Sequence, residues 1–397
     1  MLARLQRLIR RKSYNRKESP LYLLYAPPEK FGNLPPKAAL ISEEVKFSFN
    51  VAYCPKFFWR KYHLMQGCRD ITPGWMNRMR QKRILNNILV IATGGIGDSM
   101  WCMPFTKALR EKFPRATILV CCTERAMPVW QGVPYANMCV KDEFWNLQNL
   151  IRVADEVFDF GGIATYMEKE MKQDPIEVIF KQGELPLPKD KKDLRPMIVV
   201  TIDEGKRAEA LLRREGANPA ADKIVAFALE SSTSNRNWVF EYVKEVTRTL
   251  IAEGIKVVWF GESPDYETRN LDDETNLIGA VNLVRKTGIR DILAILALTD
   301  VFVGPASGIL HMATALEVPS VGLFGAFDPR VRNKFWTKSI CLWHKIDCAP
   351  CREHWTECSK GHPAPCMKVI TPGEVIEAIH KLLKLYPRPA ISKLPIE

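Results

Sequence analysis

No apolar run in this chain approaches the roughly 20 residues needed to span a bilayer as a helix, although 47% of its 397 residues are hydrophobic. A helical membrane span is therefore not expected. The first residues, MLARLQRLIRRKS, lack the apolar core and small-residue cleavage site of a secretory signal. The expectation is a cytoplasmic protein. There is no internal repeat and no low-complexity tract, which argues against a solenoid or a tail-like chain. Acidic residues are scarce in one place only. Residues 1–85 hold 18 Lys/Arg against 5 Asp/Glu, whereas the remainder holds 39 against 40. The formal charge of +12 thus belongs wholly to the N-terminal region. Such a region calls for a local anionic partner, a membrane surface or another polyanion, and leaves the core neutral.

What is present is ordinary for a globular protein, and the length suits two domains with a large core. Leu2, Leu5, Leu8 and Ile9 fall at helical spacing among Arg4, Arg7, Arg10, Arg11 and Lys12. That is either a basic helix lying on an anionic membrane or a solvated tail. Aromatic and basic residues interleave over 50–80, a pattern that binds nucleic acid in some proteins and more often marks an accessory segment. The distance between this region and the cysteine loop described below argues against a nucleic-acid-binding protein with a metal finger.

The regular part begins near residue 87. Apolar runs at 88–92, 117–122, 157–160 and 197–201 read as strands of a first parallel sheet, with a helix running to about Phe113. Residues 202–222, with a helix and an Asn218-Pro219 break, read as the linker. A second series follows, with strands at 224–229, 255–260, 301–303 and 320–324. Helices are expected over about 240–253, 290–298, 307–316 and 372–385. The fold class is α/β, with two Rossmann-like domains facing a cleft, at 86–201 and 223–385. Residues 1–85 form an extension and 386–397 a tail.

Candidate site residues sit where strands end. The first strand runs into Gly94, Gly95, Gly97 and Asp98. This loop lacks the full glycine spacing of a dinucleotide fingerprint, and no acid marks the end of the second strand for a ribose. Asp98 would face the cleft as a general base, or cap the following helix. In the second domain, Ser231, Ser232 and Arg236 can hold phosphate oxygens, with an exposed polar loop as the plainer alternative. Glu262 or Asp265 could accept from ribose hydroxyls. Ser307, Gly308 and Ile309 open a helix whose free N–H groups can seat a diphosphate, with Ser307 as its cap. His311 lies one turn further on, either in the site or as a structural histidine. No acidic metal-binding motif adjoins these loops, so no catalytic metal is expected.

These motifs, GDSMWCMP, Arg236-Asn237-Trp238, SGILHMATALEVPSVGLFG and Asp328-Pro329, resemble those of the heptosyltransferase family of glycosyltransferases, family 9. The resemblance runs over about 86–385. It implies a GT-B fold, an inverting reaction, an ADP-sugar donor and a lipopolysaccharide or other surface-glycan acceptor. By that resemblance Asp98 deprotonates the acceptor, and Ser231, Ser232 and Arg236 hold the diphosphate, Arg236 standing where the family usually has lysine. The Ser307-Gly308 turn and His311 complete the donor site. One position departs: the family's Asp before the Ser/Thr-Gly is Ala306 here, which leaves the donor sugar open, and with it a non-catalytic sugar-nucleotide-binding role. Such an enzyme would work at the inner membrane face.

Of eleven cysteines, Cys348, Cys351, Cys358 and Cys366 form a C-x2-C-x6-C-x7-C group. Four thiolates on one loop suit a structural zinc or iron, with reduced thiols or a disulfide as alternatives. Related protein-modifying heptosyltransferases carry an iron-binding loop of this kind, so transfer to a polypeptide is a second reading of function.

Overall fold

The computed structural model describes residues 87–161, 173–262, 278–351 and 358–388. The basic N-terminal helix, the aromatic stretch and Asp265 lie outside the described residues.

The chain runs β1 (Asn87–Ile91), α1 (Ile96–Trp101), α2 (Met103–Lys112), β2 (Thr117–Cys122), β3 (Met138–Lys141), α3 (Phe144–Val153), β4 (Glu156–Asp159) and α4 (Pro175–Gln182). It continues through α5 (Ile202–Arg214), β5 (Ile224–Ala228), α6 (Phe240–Ala252), β6 (Lys256–Phe260), β7 (Val281–Asn282), α7 (Ile289–Leu296) and β8 (Val301–Pro305). It ends with α8 (Gly308–Ala315), β9 (Ser320–Phe324), α9 (Pro329–Arg332), β10 (Ser339–Trp343) and α10 (Pro372–Leu385).

The strands form two parallel sheets, ordered β3-β2-β1-β4 and β10-β9-β8-β5-β6-β7. The central strands are aliphatic on both faces because helices cover both faces. Ile88 to Ile91 and Val301 to Val303 are fully buried. In the first sheet β1 lies between β2 and β4, with its partners following later in the chain on either side. In the second, the order reverses between β5 and β8. A doubly wound sheet opens a crevice at such a reversal, beyond the carboxyl ends of the strands. The loops after β1, β5 and β8 are therefore the ones that must line a site, and the motifs found in the sequence occupy all three.

One expectation is corrected. Residues 197–201 form no strand and join no ladder. Backbone groups there are taken elsewhere: Val199 O accepts from Arg290 Nη2 at 2.7 Å, and Thr201 N–H bonds Glu204 Oε2 at 2.9 Å as the cap of α5. The link between the sheets carries the expected helix. α5 packs on α7, and the buried Glu204 takes Arg290 Nε at 2.8 Å. The short strands β3, β7 and β10 escaped the sequence reading because each is short or half-exposed.

Candidate active site

β1 ends in Thr93-Gly94-Gly95. Gly94 takes φ +133°, a conformation that side chains rarely adopt. This turns the chain so that α1 starts at the sheet edge. Asp98 sits at the third position of α1, and its Oδ2 accepts from Gly95 N–H at 2.7 Å. Helix capping and cleft exposure are thus combined in one carboxylate.

α8 approaches α1 from the other lobe, and glycines make the approach possible. A Cβ on Gly97 would stand 2.6 Å from His311 Cδ2, and one on Gly308 would stand 3.0 Å from Ile96 Cβ. Two helix N-termini therefore meet, each glycine making room for a side chain of the other helix. The edges of Trp101 and Trp336 close on the His311 ring at 5.0 and 4.6 Å between centroids.

A cleft of about 570 Å³ opens between the lobes at this junction. Gly94, Gly95, Gly97 and Asp98 line one wall. Ser231, Ser232, Arg236, Glu262, Ser307, Gly308, Ile309 and His311 line the other, beside Ala306. Every described residue assigned to the donor, the base or the glycine loop is thus brought to one place. The four cysteines do not line it.

Arg236 is buried, not an exposed loop residue. Its Nε donates to Thr233 Oγ1, Nη2 to Ser232 Oγ and Nη1 to Ala306 O, each at 2.7 Å. The guanidinium ties the β5 loop to the β8 loop and points at the cleft. Burial and the nearby Arg332 lower its pKa to about 10, which leaves it charged at neutral pH. Trp238 works behind the loop, its Nε1 donating to Ile370 O at 3.0 Å.

The hydroxyls behave less uniformly than expected. Ser231 Oγ donates to Thr233 O at 2.7 Å, so that proton is committed within the loop. Ser232 Oγ accepts from Arg236 and keeps its own proton to donate. Ser307 occupies the cap position of α8, but its side chain makes no capping bond. Its Oγ and His311 Nδ1 are buried without a partner among the described residues. Two orphaned polar atoms facing the cleft are what an absent polar ligand would satisfy. Glu262 pairs with Arg125 of the opposite wall at 2.7 Å, and its N–H bonds Glu230 Oε1. It bridges the mouth of the cleft.

Burial raises the pKa of Asp98. Arg332, the Gly95 N–H and Arg236 oppose that rise, in that order. Burial, then the charges of Arg332 and Arg236, hold His311 down at about 3, so its ring is neutral. Arg125, Glu230 and Arg332 were missed in the sequence. Arg332 follows the Asp328-Pro329 motif by a few residues, and only that proximity could have flagged it.

The family model of glycosyltransferase family 9 (heptosyltransferase) matches residues 169–362. Over that stretch, just under half of its length, the chain is similar to the heptosyltransferase-like glycosyltransferases of family 9. Lipopolysaccharide heptosyltransferase 2 of Salmonella typhimurium is 22% identical over 354 residues, covering 75% of this chain and 98% of the relative. The structure of the Escherichia coli ADP-heptose lps heptosyltransferase II superposes with a TM-score of 0.60 at 20% identity, over 75% of this chain and 99% of the other. The iron-containing dodecameric glycosyltransferase TibC of enterotoxigenic E. coli superposes with a TM-score of 0.54 at 14% identity, over 76% and 77%. The architecture of the chain is GT-B.

The cysteine group lies behind β9. Cys351 N–H bonds Ala326 O at 2.8 Å, and Cys366 packs against Gly325. Among the described residues no three Cys, His, Asp or Glu side chains stand at metal-binding geometry. Burial raises the Cys366 thiol to about 11, and Cys348, Cys358 and Cys351 each add to the rise. The four thiols are therefore near neighbours. Among the described residues, no helix is long and apolar enough to cross a membrane.

Proposed function

We propose that this enzyme transfers heptose from ADP-heptose to a lipopolysaccharide core acceptor, with inversion at the anomeric carbon. The observation that carries this reading is the opposition of Asp98 to Arg236 and the start of α8 across one cleft. Asp98 takes the proton of the acceptor hydroxyl. The hydroxyl oxygen bonds the anomeric carbon, and the bond from that carbon to the diphosphate breaks with its electron pair leaving on ADP. Attack from one wall and departure toward the other give inversion. Arg236 and the N–H groups of Gly308 and Ile309 receive the charge that develops on the diphosphate, in a site where water is largely excluded. The Ser232 hydroxyl and the neutral His311 ring donate hydrogen bonds without adding charge. Ala306 removes one carboxylate from the sugar's surroundings and is the residue to examine if another ADP-sugar proves better.

The test is transfer by the purified protein, with a panel of nucleotide sugars and a truncated lipopolysaccharide core as acceptor. Heptose transfer from the ADP donor supports the reading. Transfer only from uridine, guanosine or cytidine donors overturns it. The same preference should appear as a rise in melting temperature with ADP but not with the other diphosphates.

Two companion proposals follow from the sequence. The basic residues before position 86 would bring the enzyme to the anionic inner-membrane face where such an acceptor resides. Vesicle binding that is insensitive to anionic lipid would reject this. Cys348, Cys351, Cys358 and Cys366 would hold a structural zinc or iron. Four cysteines on one short loop suit a tetrahedral cation. The metal's part is to brace the loop behind β9. Protein free of zinc and iron by elemental analysis, with unaltered melting after chelation, would reject it.

A further inference from the structure

We propose that Arg332, carried by α9 of the second lobe, is a positioning residue that holds Asp98 of the first lobe as a carboxylate across the cleft. The proposal rests on the assignment of Asp98 as the base. It concerns neither the donor nor the diphosphate, but the state of a group on the opposite wall.

The geometry begins with α9. Asp328 caps it, accepting from Arg330 N–H at 2.9 Å, and Asn333 N–H closes the turn on Pro329 O at 2.8 Å. The direction of Arg332 is therefore set by its backbone. Its guanidinium carbon lies 4.0 Å from the ring centroid of Phe327 in its own lobe. It lies 5.1 Å from that of Trp101, three residues beyond Asp98 on α1. Two aromatic faces, one from each lobe, thus hold the cation in the cleft that Asp98 also lines, one helical turn along α1 from the carboxylate.

The other charged and titratable groups around Asp98 pull on it less, or are neutral. Arg236 faces the carboxylate too, but three of its donors are committed to Ser232, Thr233 and Ala306. His311 on α8 is neutral. Cys102, at the end of α1, is a buried thiol raised further by Asp98 itself. Arg125 and Glu262 neutralise each other at the mouth. Arg332 is accordingly the cation with the strongest pull on Asp98. A buried carboxyl left without it would keep its proton up to a higher pH, and below that pH could not accept another.

The experiment compares the pH dependence of transfer by the full-length wild type, Arg332→Gln and Arg332→Lys, with ADP-heptose and truncated lipopolysaccharide core. ADP affinity is measured by calorimetry on each. In Arg332→Gln the acid limb should move up by about one pH unit or more, so that the rate on that limb falls roughly tenfold. The rate at high pH and the affinity for ADP should stay within a few-fold of wild type. Arg332→Lys, which keeps the charge, should fall between the two, and it decides the matter if Arg332→Gln does not fold. An unmoved acid limb overturns the proposal, as does a rate lost equally at every pH. A fall in ADP affinity parallel to the loss of rate would make Arg332 a diphosphate ligand instead. Asp98→Asn separates the two levels: full activity in that variant would remove the base itself, whatever Arg332 does.

Discussion

The starts of α1 and α8 are the same device used twice, and their difference defines the site. Each follows a central parallel strand at the reversal of its sheet, and each has glycine where the other helix approaches. A helix N-terminus presents free N–H groups and favours an anion. At α1 that anion is part of the chain: Asp98 bonds the Gly95 N–H. At α8 no acid is present, the Ser307 hydroxyl is left over, and Arg236 stands beside it. One helix start is filled by its own carboxylate, the proposed base, while the other is open, the proposed seat of the leaving group. A single residue type at the third helical position separates the two outcomes.

Removing the filled end should have the largest effect. Asp98→Asn should lower transfer on the order of 10²–10⁴-fold with ADP binding retained. The same variant should melt higher at neutral pH, and the sign follows from linkage. The pKa of Asp98 is raised in the folded protein above its ordinary 3.8. The cost of its charge is absent below that value and grows as the pH climbs through the folded pKa. Asparagine avoids that cost. Unchanged melting at pH 7 would mean that Arg332 and Arg236 offset the burial completely.

Next comes the cation of the open end. Arg236→Met should cost roughly 10²–10³-fold in transfer and weaken ADP binding with it. Loss of rate with unchanged ADP affinity would move Arg236 from the diphosphate to the sugar. A smaller effect should follow from making α8 resemble α1. Ser307→Asp places a carboxylate on the open helix start and should weaken ADP binding at least about tenfold, some 1.4 kcal/mol. Tighter binding would show that the diphosphate sits elsewhere. The smallest effect belongs to the mouth. Glu262 and Arg125 are more than half exposed, so Glu262→Gln should change stability by less than about 1 kcal/mol. A loss of nucleotide affinity in that variant would reveal a direct ribose contact beyond the bridge to Arg125.

The two helix starts also show what was readable in advance. Short-range patterns carried the strands at β1, β5, β8 and β9, the helices after them and the loops between. Glycine, Asp98, Ser307 and Arg236 were legible because each acts within a few residues of its own strand end. Residues 197–201 misled for the opposite reason. Their apolar pattern suits a strand, but whether a strand pairs depends on what lies beside it. Here Arg290, distant in the chain, takes the carbonyl of Val199. Arg332 was invisible because the ring it meets across the cleft, Trp101, belongs to the other lobe.

By itself the sequence determined two α/β units, the loops that line the cleft and the place of Asp98 just after β1. It did so because helix starts, strand ends and turns are set by neighbours in the chain. Only the tertiary structure decided that Gly97 and Gly308 let the two helices touch, that Arg236 is buried and that Arg332 reaches across to Trp101, one turn beyond Asp98. Those facts depend on the distance between lobes, and packing and charge act through space between residues that no local pattern relates.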